Sequence, residues 1–161
     1  MKATDLLKRQ HREVEKLFAR VLKTEDPGER QDLANEIASK LEVHTKIEEE
    51  IFYPAYREGA DTQKAEDAVL EAYEEHHVVK LLLRELPEID CEAESFEAKM
   101  TVLQELVAHH VEEEEGTMFP DAEKKLGKTR IEELGAELDE RAGALGADDG
   151  ADAEERPEQH A

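Results

Sequence analysis

Four histidines recur along the chain at an almost even interval: His11, His44, His76 and His110, separated by 33, 32 and 34 residues. Two of them are followed four residues later by a glutamate, His44 by Glu48 in HTKIEEEIFYP and His110 by Glu114 in HVEEEEGTMFP. A spacing of four puts both side chains on one face of a helix. Imidazole nitrogen and carboxylate oxygen together suit borderline divalent metals. Six such groups are more than one tetrahedral zinc uses. They fit a dinuclear site in which Glu48 and Glu114 are shared between ions about 3.5–4 Å apart. Iron is the expected metal, two ions per chain, with Mn or Zn as alternatives. Cys91 is the only cysteine, which leaves neither an intrachain disulfide nor a thiolate cage to be built.

Four helices would have to carry these groups. Breakers at Asp26-Pro27-Gly28, at Gly59 and Asp61, at Pro87 to Asp90 and near Gly127 divide the first 126 residues into four segments. The pattern predicts helices over roughly 3–24, 29–57, 61–86 and 95–125, with Ser95 as an N-cap. Pro54 and Pro120 should bend the second and fourth. The apolar stripes contain the histidines: Leu7, His11, Val14, Phe18 in the first helix, and Val69, Tyr73, His76, Val79, Leu83 in the third. In the second and fourth they run Leu41, His44, Glu48, Ile51 and Val107, His110, Glu114, Met118, so both glutamates point inward. HTKIEEEIFYP and HVEEEEGTMFP align without a gap at an offset of 66, and the apolar steps after His11 and His76 also coincide. A period near 34 could instead signal a helix-pair solenoid, but no unit has a breaker at its middle. The expected fold is all-α: an up-down-up-down antiparallel four-helix bundle over 1–126, room for a short fifth helix over 127–142, and a disordered acidic tail over 143–161.

Each signal has a plainer reading. Acidic runs are usually solvated faces, and Glu49, Glu50, Glu112, Glu113 and Glu115 are assigned that way. Tyr73 lies one turn before His76 and is either a ligand or a core tyrosine; His77 and His109 sit about 100° off the stripe, and Glu15 follows His11 by four. His–Glu hydrogen bonds could satisfy part of the layer, but an uncompensated buried carboxylate costs several kcal/mol, so a cation is the more complete solution. The formal charge of −22 repels nucleic-acid backbones and anionic membranes and attracts cations, so neither nucleic acid nor membrane is an expected partner. The start MKATDLLKRQH has no apolar core of signal-peptide length, and the cytoplasm is the expected location. Oligomeric state has no signature here.

At His11, at His44 and Glu48 in HTKIEEEIFYP, at His76 in YEEHHVVKLLL and at His110 and Glu114 in HHVEEEEGTMFP, the chain resembles the hemerythrin-like, HHE cation-binding family. The resemblance covers roughly residues 3 to 125. It implies a four-helix bundle around a non-haem di-iron centre that handles oxygen, nitric oxide, peroxide or iron itself. One departure matters: oxygen-carrying hemerythrins place a second histidine four residues after the third-helix ligand, and here that position is Lys80. Fewer histidine ligands on one iron point away from reversible oxygen carriage and toward reaction with peroxide, as in a catalase-like activity. The alternative is an iron or redox sensor that binds without turnover.

Overall fold

The computed structural model describes the backbone of residues 1–159 and the side chains of residues 1–146. Helix α1 spans Ala3–Lys23 and α2 spans Pro27–Ile47. The second starts two residues earlier than expected, because Pro27 occupies the first turn, where its missing N–H is no loss, and the Asp26 side chain accepts from Glu29 N at 2.8 Å. Helix α4 spans Gln63–Glu85, capped by Thr62, and α5 spans Glu94–Glu113. The N-cap position of α5 is Ala93 rather than Ser95: Asp90 turns the chain early, its side chain accepting from Glu92 N and its carbonyl from Ala93 N.

At Pro54 and Pro120 the helical backbone widens rather than breaks. Glu48–Phe52 and Glu114–Met118 are π-helical turns leading into the short helices α3, Tyr53–Ala60, and α6, Phe119–Leu126. Tyr53 N–H bonds the Glu48 carbonyl five residues back, and Phe119 N–H does the same to Glu114. In that register Pro54 would pair with the Glu49 carbonyl and has no N–H to offer; the Tyr73 hydroxyl donates to that carbonyl at 3.4 Å.

Side-chain pairs fix the directions. Gln10 meets His44 and Glu13 meets Lys40, Glu49 meets His76 and Arg57 meets Glu66, Glu75 meets His110 and Glu85 meets Lys99, while Thr4 meets Glu123 and His11 meets Glu115. In every pair the numbers run in opposite senses, so α1, α2–α3, α4 and α5–α6 form an antiparallel up-down-up-down ring. Two apolar clusters fill it. One gathers Val14, Phe18, Ile37, Leu41, Val79 and Leu103, the other Leu6, Leu7, Phe52, Tyr56, Val69 and Phe119.

The short helix expected over 127–142 is the first half of a longer one, α7, Lys128–Gln159. Gly127, at φ 84°, makes the turn into it. Ile131, Leu134, Leu138 and Leu145 bury themselves against the second cluster. Of the tail expected to be disordered over 143–161, Leu145 packs in the core, residues 147–159 are described only as helical backbone, and 160–161 lie outside the described residues. Gly135 lies against the chain's first residues, where a Cβ would overlap the backbone of Met1 to Ala3; at Gly143 nothing lies within 4 Å. Gly135→Ala is therefore expected to lower stability by about 1–3 kcal/mol through overpacking, whereas Gly143→Ala should raise it by about 0.5–1 kcal/mol by helix propensity alone. Urea midpoints of the two variants should move in opposite directions. Among the described residues no helix is long and apolar enough to cross a membrane.

Candidate functional site

Between the two apolar clusters lies one polar layer. It contains His11 from α1, His44 from α2, Glu48 and Glu114 from the first residues of the two π turns, His76 from α4 and His110 from α5, each at most 6 % exposed. All six expected residues meet there. Their Nε2 atoms face inward. His11 Nε2 is 3.1 Å from Glu114 Oε1, His44 and His76 Nε2 are each 3.2 Å from Glu48 Oε1, and His76 and His110 Nε2 are 3.1 Å apart. The donor atoms form two groups, His11, His44, Glu48 and Glu114 in one and Glu48, His76 and His110 in the other. Glu48 belongs to both.

Every histidine is gripped from behind at Nδ1. Glu115 holds His11 at 2.7 Å, Gln10 holds His44 at 2.6 Å, Glu49 holds His76 at 2.9 Å and Glu75 holds His110 at 2.7 Å. Glu49 and Glu115, assigned to solvated faces from the sequence, are thus half-buried partners of the site. Each also reaches a surface cation, Glu49 meeting Lys80 at 2.7 Å and Glu115 meeting Arg12. The position that departs from oxygen carriers, Lys80, steadies the carboxylate that orients His76. Partners of this kind fix the tautomer that presents Nε2 to a metal and sharpen its basicity. Glu50 and Glu112 are exposed as expected, and Glu50 pairs with Arg141 at 2.8 Å. Glu49→Ala should therefore weaken metal binding by about 10–100-fold and Glu50→Ala should not, as read by competition with a chromogenic chelator.

Tyr53 was not singled out by the sequence, and it stands at the middle of the layer. Its hydroxyl lies 2.7 Å from Glu114 Oε2, 3.2 Å from Glu48 Oε1, 3.1 Å from His76 Nε2 and 3.2 Å from His110 Nε2. In an unbroken α-helix a residue five after Glu48 faces away from it; the π turn brings it round. The repeat held a faint trace of this, since Phe119 stands at the matching place, stacked 5.9 Å from the His11 ring. Phe52, four residues after Glu48, is fully buried, and Ile51 is partly buried against the same cluster. Tyr73 does not reach the centre: its ring packs edge-on against Tyr53 at 5.6 Å. His77 and Glu15 are exposed, and His109 sits outside the layer with Glu75 and Glu113.

At His11, His76, His110 and Glu48 burial disfavours charge, and neighbouring opposite charges and hydrogen bonds outweigh it. Burial pushes the His110 imidazole down, but Glu114, Glu48 and Glu75 outweigh it and raise it well above the usual histidine range. His11 and His76 are raised in the same way, by Glu114 and Glu48 foremost. Burial pushes the Glu48 carboxyl up, and the surrounding histidines bring it well below the usual range. The Tyr53 phenol is driven upward by burial and by Glu114 and Glu48, so it keeps its proton and donates it to Glu114.

The donor set fits metal binding. Four imidazoles and two carboxylates converge with their ligand atoms inward, and His44 Nε2 and Glu48 Oε2 are buried without any hydrogen-bond partner. Such orphaned atoms are costly unless a cation takes them.

The profile of the hemerythrin HHE cation binding domain family matches residues 2–122. A protein of Nostoc sp. named DNA nickase is 30% identical over 142 residues, 86% of this chain; the match spans 38% of that longer protein. In structure, the chain is similar to a hemerythrin HHE cation binding domain-containing protein from Mycobacterium kansasii, with a TM-score of 0.82, 23% identity, and coverage of 94% of this chain and 91% of the other.

Proposed function

Since the chain belongs to the hemerythrin HHE cation-binding family, we propose that it holds two iron ions between His11, His44, His76, His110, Glu48 and Glu114 and acts there on peroxide, oxygen or nitric oxide. The observation that supports this reading is the double membership of Glu48, whose Oε1 lies 3.2 Å from both His44 Nε2 and His76 Nε2 and which belongs to both donor groups. In this reading His11, His44, Glu48 and Glu114 would hold one ion, and Glu48, His76 and His110 the other. Bound iron would supply ferrous–ferric redox chemistry. The chain supplies the rest: the two apolar clusters keep bulk water from the layer, the Nδ1 partners hold each imidazole in place, and the Tyr53 hydroxyl keeps a proton beside Glu114 and Glu48. The Tyr53 hydroxyl, which keeps its proton, is a buried hydrogen-bond donor placed in the middle of the layer, where it would orient an oxygen ligand.

Iron is favoured over zinc because a structural zinc would leave two of six donors idle. Manganese takes the same ligands, and metal analysis separates the two. The Nostoc relative's name describes a protein more than twice as long as the matched segment. A chain of charge −22 repels phosphate backbones, so nucleic acid is not the proposed partner here. Sensing is the second reading, favoured by the Lys80–Glu49–His76 chain that links the centre to the surface.

Anaerobic ferrous loading followed by peroxide tests both. Two ions per chain and repeated peroxide turnover, slowed in Tyr53→Phe, are expected. Stable loading with no turnover would select the sensor, and uptake well below one ion per chain would end both readings.

A further inference from the structure

The bundle has two pseudo-equivalent flanks, because its second half repeats its first, and they are finished differently. On the first-half flank, Leu6, Leu7, Gln10 and Ile47 surround His44 and Glu48, and α7 covers them; Leu6, Leu7 and Ile47 are at most 2 % exposed. At the matching positions of the second half stand Glu71, Ala72, Glu75 and Glu113, beside His110 and Glu114. No helix covers that flank among the described residues. It opens instead into a cleft of about 210 Å³ whose walls include Glu71, Glu75 and Glu113 and whose floor is His110 and Glu114.

Beside the cleft lies a further donor set, of which Glu75 and Glu113 line the cleft and His109 stands outside it, exposed. Ligand atoms of Glu75, His109 and Glu113 all lie within 4.8 Å of one another. His109 and Glu113 are one turn apart on α5, with His109 Nε2 3.0 Å from Glu113 Oε1, and Glu75 reaches across from α4. Glu75 touches both levels: one oxygen binds His110 Nδ1 at 2.7 Å, and the other lies 3.7 Å from His109 Nε2. The first-half counterparts of this trio are Gln10, Val43 and Ile47, so the fold is built equally well without it.

From this asymmetry we infer that divalent cations, ferrous ion in particular, reach the buried centre through the cleft between α4 and the second π turn, captured first by Glu75, His109 and Glu113. This rests on the two-metal reading above. A mouth lined by one sign of charge raises the local concentration of its counter-ion and the rate of capture, while Ala72, where the sealed flank has a leucine, puts a smaller side chain along the cleft. The flank sealed by α7 offers neither.

The test is stopped-flow loading of the metal-free full chain with ferrous ion under anaerobic conditions, followed by stripping with a chelator. The triple variant Glu71→Gln, His109→Ala, Glu113→Gln keeps all six ligands of the centre and should load about tenfold more slowly, with a weaker dependence on salt and the same final two ions per chain. Ala72→Leu, which copies Leu7 of the sealed flank, should slow both loading and stripping without touching any charge. A wild-type loading rate in either variant overturns the proposal. So does a slower rate with fewer ions bound at the end, because it would assign these residues to the centre itself. Failure of the unaltered chain to bind metal at all is a different result, one that removes the centre and the route together.

Discussion

Glu48→Ala is expected to reduce the metal content after ferrous loading from two ions per chain to below one, the largest loss for any single side chain outside the histidines. Glu48 is fully buried and is the only residue found in both donor groups of the layer, so its removal would take a donor from each group at once. Glu114 belongs to one group only, although its Oε1 also lies 3.4 Å from His110 Nε2, so Glu114→Ala should cost the His76–His110 group less than Glu48→Ala does. Truncation has a second effect. Glu48 is what keeps His76 charged foremost, and it contributes to the raised state of His11 and His110. Breaking a buried charged network by removing one partner costs about 3–5 kcal/mol. Glu48→Gln separates the two effects, because it keeps the volume and an acceptor oxygen while removing the charge. It should fold with a smaller loss of stability and still fail to hold two ions. Metal analysis after gel filtration, beside a thermal melt of each variant, reads both; two ions retained by Glu48→Ala would sink the shared-carboxylate arrangement.

Metal-loaded and metal-stripped protein should respond to pH in opposite directions. In the stripped chain His11, His76 and His110 bind protons more tightly than unfolded histidines do, so folding takes up protons. Their contribution is complete below the unfolded value of about 6.5 and is lost as pH rises through the raised folded values, so stripped stability falls as pH climbs from about 6.5 upward. Glu48 has the opposite sign: its depressed carboxyl contributes above about 4.3, and that contribution is lost in strong acid as pH falls through the folded value. A metal needs Nε2 unprotonated, and its binding therefore releases protons and strengthens as pH rises. The gap in melting temperature between loaded and stripped protein should accordingly widen between about pH 6 and pH 8. With metal a thousandfold above its dissociation constant the stabilisation is about 4 kcal/mol, or roughly 8–16 °C for a chain of this length. Calorimetry in buffers of different ionisation enthalpy would count the released protons. A gap independent of pH would mean that the metal sits on groups other than these histidines.

How far the sequence reaches can be followed at single residues. His11 and His76 are readable because both fall on apolar stripes, and only an inward side chain belongs there. Glu48 and Glu114 are readable because they stand one α-turn after a histidine that is itself inward. The same reasoning fails five residues later. An α-helical period sends Tyr53 away from Glu48, and the structure turns it inward because the backbone widens before Pro54. A proline announces that a helical hydrogen bond is lost; it does not say whether the helix bends, ends or widens. Glu49 and Glu115 escape for another reason. Their neighbours in sequence are acids and solvent, and the histidines they hold, His76 and His11, come from other helices.

The sequence alone therefore determined the all-helical fold, the four strokes of the bundle and the six residues that meet in its polar layer. These follow from periodicity and repeat, which are properties of one helix at a time. Tertiary structure decided which flank α7 seals, which acids stand behind each imidazole, and that Tyr53 stands at the centre. Each of those depends on the register of one helix against another, and register is set by packing, which no local pattern encodes.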